Sequence, residues 1–86
     1  MARKPKEWTP IDTTALSWVT APESSLIARF AYDVENRVLA IEFNSGDEYQ
    51  YFDVDPAVYE EMQAAPSKGR FFGSTVRGQH PYRRTG

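Results

Sequence analysis

The feature that most restricts the fold of this chain is a period-of-two alternation of apolar residues from Leu26 to Val54, broken only by two short polar turns. In Leu26-Ile27-Ala28-Arg29-Phe30-Ala31-Tyr32 the alternation sets Leu26, Ala28, Phe30 and Tyr32 on one side, as a half-buried strand requires. Val38–Phe43 repeats it, with Leu39, Ile41 and Phe43 inward and Ala40 and Glu42 outward. Glu48–Val54 sets Tyr49 and Tyr51 against Glu48, Gln50 and Phe52. Connections as short as Asp33–Arg37 and Asn44–Asp47 force antiparallel neighbours. Gly46 supplies the positive φ that the second turn needs, and Asn36 is the residue of the first turn best suited to a left-handed conformation.

After Val54 the period becomes helical. Asp55 suits an N-cap and Pro56 the first helical position; Glu60 and Glu61 lie early in the helix, and Val58, Tyr59 and Met62 share one stripe before Pro66 ends it. Ser67 can cap a second helix through Val76, with Phe72 and Val76 four apart and Gly78 as terminator. The expected fold is α+β: a three-stranded antiparallel β-meander followed by two short α-helices packed on one face, over residues 23–82. Residues 1–22, with Pro5, Pro10 and Pro22 and no sustained period, read as a flexible or partly ordered arm. Trp8 and Trp18 are large to leave in water, and Ala15–Val19 suits a short strand or helical turn against the domain. Residues 83–86 read as a basic tail.

A chain of 86 residues supports one core. It has no cysteine, no apolar run near the roughly 18 residues of a membrane span and no signal-peptide core, so a reducing, cytoplasmic setting is expected. The net charge of −2 conceals a strong division. Residues 23–61 hold ten acids against Arg29 and Arg37, whereas residues 62–86 hold Lys68, Arg70, Arg77, Arg83 and Arg84 and no acid. A basic end of this kind meets an anion or folds back on its own acidic half.

From Ser24 to about Tyr82 the chain resembles the KTSC domain, a small module named for its occurrence at the carboxyl end of some lysyl-tRNA synthetases and also found alone in bacterial proteins. The resemblance is carried by Ser24-Ser25-Leu26, Tyr32-Asp33, Leu39-x-Ile41-x-Phe43, the Gly46 turn, Tyr49-Gln50-Tyr51, Val58-Tyr59, Ala65-x-Ser67-Lys68-Gly69-x-Phe71-Phe72, Val76-Arg77 and Pro81-Tyr82. Two positions depart from the family pattern: the proline of Asp55-Pro56 comes one residue late, and Gly73 replaces a common Asn. The activity that the resemblance implies is RNA binding.

Tyr49 and Tyr51 present two aromatic rings on one strand face, a geometry on which bases stack, and one that equally suits core packing against helices. Ser67-Lys68-Gly69 opens a helix where backbone N–H groups and two cations, Lys68 and Arg70, could receive an anion; helix capping is the plainer use of the same residues. It lacks the glycine-rich turn of a nucleotide-binding P-loop. Arg77, His80, Arg83 and Arg84 extend the basic surface, to contact phosphates, to solubilise the chain end, or to pair with the domain's own acids. One histidine, no cysteine and carboxylates confined to turns and strand ends give no expected catalytic centre, metal site or cofactor. Two functions remain. The first is an RNA-binding module using Lys68, Arg70, Arg77, Arg83 and Arg84 with Tyr49 and Tyr51. The second is a protein-interaction module using the acidic sheet face around Glu42, Glu48 and Asp53, or an exposed strand edge.

Overall fold

The computed structural model describes residues 8–86; residues 1–7, the start of the expected arm, lie outside the described residues. Five antiparallel strands form one sheet in chain order: β1 (Val19–Thr20), β2 (Ile27–Asp33), β3 (Val38–Phe43), β4 (Glu48–Tyr51) and β5 (Tyr82–Arg84). Between β4 and β5 lie α1 (Pro56–Ala64) and α2 (Lys68–Phe71), which runs into a π-helical turn, Phe72–Val76. The fold is therefore α+β as expected, but the three-stranded meander is widened by one short strand at each edge.

The central register follows the alternation, with Phe30 opposite Ile41, Tyr32 opposite Leu39 and Ile41 opposite Tyr49. It fails at the start of β2. A register shift between Ile27 and Arg29 turns Ile27 into the main core, the reverse of its expected facing, while Leu26, just before the strand, is 40% exposed beside Gly69. A one-residue irregularity moves every side chain upstream of it to the other face. The first turn differs as well. Gly46 has a positive φ (97°) as expected, but in the β2–β3 turn it is Arg37 (φ 56°), not Asn36, that turns left-handed. Asp33 is the reason: its carboxylate accepts from the backbone N–H groups of Glu35 and Asn36 and from the Asn36 amide, fixing Asn36 one step before the reversal. Those hydrogen bonds, the one from the Asn36 side chain foremost, hold the Asp33 carboxyl below its usual range.

The helices cover one sheet face, where Phe30, Leu39, Ile41, Val54, Met62, Phe72 and Val76 form the main core. Asp55 caps α1 through the Ala57 N–H (2.9 Å) and Ser67 caps α2 through the Arg70 N–H (3.2 Å), both as the sequence predicts. The second helix does not run uniformly to Val76: the Arg77 N–H donates to the Phe72 carbonyl five residues back, a wider turn than an α-helix makes. Gly69 fits this packing, since a Cβ there would stand 3.4 Å from both the Leu26 Cβ and the Ser24 Oγ.

The other face is covered by Trp8 and Ile11 from the described part of the expected arm, whose residues Val19 and Ala21 join the main core at the β1 edge. Trp8 stacks on Phe52 with ring centroids 5.8 Å apart and planes 16° from parallel, joined by Val38 and Ile11. Gln50, only 2% exposed, accepts from the Ile11 N–H at 2.8 Å and donates to the Ile11 carbonyl at 2.9 Å, so its amide supplies what a neighbouring strand would. Arg29 lies 4.1 Å from the centre of the Trp18 ring and pairs with Glu42. The chain end, expected as a tail, is also held. Phe52 donates to the Pro81 carbonyl (2.9 Å), Thr85 donates to the Glu48 carbonyl (2.7 Å), and β5 adds to the sheet although its side chains are all exposed.

Candidate functional site

On the helix-covered face the helices stop short of the β4–β5 edge, and an open groove of about 600 Å³ remains there. Alternation along β4 sends Tyr49 and Tyr51 to this side, and pairing of β5 with β4 brings Tyr82 directly opposite Tyr51. The three phenol rings converge: centroids of Tyr49 and Tyr51 lie 6.3 Å apart, and Tyr82 stands 5.7 Å from each. Phe43 and Phe72 back them edge-on, at 5.6 Å from Tyr49 and 5.3 Å from Tyr51 respectively. Tyr51 is buried, Tyr49 half-buried and Tyr82 56% exposed, so the rings step from core to solvent. Tyr51 therefore serves the core, and the surface available for stacking belongs to Tyr49 and Tyr82. Burial pushes the Tyr51 phenol up to about 12; the neighbouring Tyr49 adds to that and Arg77 opposes it.

The cations of the carboxyl-terminal quarter do not form one patch. Arg77, delivered by the π-helical turn, lines the groove at the Tyr51–Tyr82 end. Arg84 lies in register with Tyr49 towards the other end, where its Nη2 donates to the Asp47 carboxylate at 2.9 Å. Arg83 is in register with Gln50 and so belongs to the arm-covered face. Lys68 turns its ammonium to the end of α1, donating to the carbonyls of Gln63 (2.9 Å) and Ala65 (2.6 Å). It caps a helix terminus, as cations do at the negative end of the helix dipole. Arg70 is exposed on α2, and His80 is half-buried in the segment leading to β5. Ser67 and Lys68 border a second cavity, of about 350 Å³, that also contains Glu23, a carboxylate that opposes an anion there.

Tyr82 is the member of the groove that the sequence reading passed over. Its only local signal is Pro81, which presets an extended backbone; no alternation marks Tyr82-Arg83-Arg84 as a strand. Asp47 is one of the carboxylates at turns and strand ends to which the sequence assigns no site. Of the acids expected to form a docking face, Glu42 and Glu48 are on the other side of the sheet, where Glu42 pairs with Arg29 and Glu48 lies 3.5 Å from the Thr13 hydroxyl, whereas Asp53 is exposed beyond the end of β4. Among the described residues no helix is long and apolar enough to cross a membrane, and no group of three or more His, Cys, Asp or Glu is placed to hold a metal ion.

Comparison with known proteins places this architecture. Residues 23–82 match the family model of the KTSC domain. The chain is similar to the lysine–tRNA ligase of Nostoc punctiforme, with 43% identity over 61 residues, 71% of this chain but only 11% of that protein's length. It is also similar to an uncharacterised protein of Stutzerimonas stutzeri, with 38% identity over 60 residues, 70% of this chain and 84% of that one. A crystal structure of a KTSC domain protein from Yersinia pestis superposes with a TM-score of 0.79 at 35% identity, covering 84% of this chain and all of the other.

Proposed function

The chain belongs to the KTSC domain family, and from that premise we propose that it is a single-stranded RNA-binding module, not an enzyme, which stacks a base on Tyr49 and Tyr82 and takes the adjoining phosphate on Arg77. The observation that carries this reading is the convergence of three tyrosine rings on an open groove with an arginine at one end. Graded aromatic surface beside a cation is what a splayed nucleotide needs, because every base has a π-face and every linkage a charge. The lysine–tRNA ligases that contain a similar segment are named for an RNA that they handle, which favours RNA as the polymer. The acidic residues weigh little against this, since Glu42 and Glu48 face away from the groove and Asp47 is paired with Arg84. The same placement weakens a protein-docking role for the acidic face, which the arm already engages.

Titration of the isotope-labelled protein with short single-stranded RNA at low and moderate salt tests the proposal. Amide shifts are expected at Tyr49, Tyr82 and Arg77, fading with salt as few-phosphate contacts do. Tyr82→Ala should weaken binding about tenfold, the worth of one stacked base, and Lys68→Ala should leave it unchanged. Absence of any shift at low salt ends the proposal, and shifts confined to Ser67–Arg70 would move the site to the start of α2.

A further inference from the structure

The groove is chemically polar along its length, and this carries an inference that rests on the RNA-binding reading. At the Tyr51–Tyr82 end stands Arg77, which can only donate hydrogen bonds. At the opposite end, in the β3–β4 turn, stand Asp47 and Asn44. Asp47 is a carboxylate held in place by Arg84 at 2.9 Å and by the Ser45 hydroxyl at 3.3 Å. Each of its oxygens keeps a lone pair beyond those contacts. The Asn44 amide nitrogen donates one of its two hydrogens to the Ser24 carbonyl at 3.0 Å, which fixes the amide's orientation and leaves its oxygen able to accept. Among the described residues, one end of the groove therefore presents a lone cationic donor, and the other a carboxylate and a carboxamide oxygen, the carboxylate braced by Arg84.

We propose that Asp47, with Asn44 beside it, selects bases that carry an exocyclic amino group over uracil. With the phosphate on Arg77 and the ring over Tyr49, the far edge of the base meets the turn. Cytosine brings an amino donor to that edge and uracil a carbonyl acceptor at the same ring position, so the first completes a hydrogen bond and the second sets oxygen against carboxylate. Asp47 is a specificity residue, distinct from the rings that provide stacking without regard to sequence.

The two pyrimidines have the same ring size, so short cytidine-only and uridine-only ribo-oligomers isolate the amino group. Both are titrated into the full chain at low salt with amide shifts as the readout. Cytidine oligomers should bind about tenfold more tightly than uridine oligomers. Asp47→Asn, whose amide can present either a donor or an acceptor, should bring the ratio near unity mainly by weakening cytidine binding. Arg84→Ala controls for loosening of β5: it removes the ion pair but keeps the carboxylate, and the preference should persist. Equal binding of the two oligomers with shifts in the groove overturns the selection while leaving RNA binding intact. No groove shift with either oligomer overturns both.

Discussion

On one face of the sheet Val38 and Phe52 are closed over by Trp8 of the protein's own arm; on the other, Tyr49 and Tyr82 reach an open groove beside Arg77. The same alternation along β4 feeds both, sending Gln50 one way and its two tyrosine neighbours the other. On the closed face the polar group is spent internally: both ends of the Gln50 amide are used by Ile11. On the open face the charged groups sit at the ends of an aromatic floor. The arm-side cluster and the groove thus lie on opposite sides of the sheet, while the main core shares the groove's side, so the arm side should be open to change without the groove.

The sharpest way to break that division is Trp8→Ala. Removing a buried indole stacked on Phe52 should cost about 3 kcal/mol of unfolding free energy, read by thermal or denaturant unfolding, while RNA affinity measured below the transition stays unchanged. Loss of affinity in the folded variant would show that the faces are coupled. Gln50→Leu is the next largest: it strands the Ile11 N–H and carbonyl and should cost about 1–2 kcal/mol, again without an effect on binding. At neutral pH the smallest effect belongs to the groove's own buried ring. The Tyr51 phenol titrates near 10.0 when unfolded and about 12 when folded, so the folded state holds its proton more tightly. Its contribution is complete below pH 10 and is lost as the pH rises from there through about 12. Tyr51→Phe should lessen the alkaline fall in stability without abolishing it, because burial also raises the phenols of Tyr32 and Tyr59.

The elements that the sequence made legible are those whose signals are local. β3 keeps its expected span and register, although Ala40, expected outward, is fully buried, and Asp55, Pro56 and Ser67 do as caps what their chemistry predicts. The start of β2 was not legible, because an irregularity at Ile27–Arg29 leaves no mark in an apolar run where either phase looks plausible. Arg37 took the left-handed position because Asp33 had already engaged Asn36, a competition among side chains and not a propensity. The arm and β5 depend on partners far along the chain: Ile11 meets Gln50 across 39 positions, and Thr85 reaches Glu48. In the groove, Tyr49, Tyr51 and Arg77 were readable as candidates, whereas Tyr82 needed the β4–β5 pairing to join them. Lys68 looked like an anion ligand because spacing shows a cation near a helix start and hides the end of the preceding helix beside it.

The π-helical turn Phe72–Val76 has a consequence for how this surface can be gained or lost. Such a turn holds one more residue than the α-helical path between the same neighbours, and successive helical residues point about 100° apart. Deleting one residue from Gly73-Ser74-Thr75 would let the helix relax to ordinary winding with Arg77 still one turn on from Phe72, whereas inserting one would swing Arg77 by that angle away from Tyr51, with the arginine and all the tyrosines still present in the sequence. A one-residue insertion between Phe72 and Arg77 would therefore silence the groove without altering any residue that lines it.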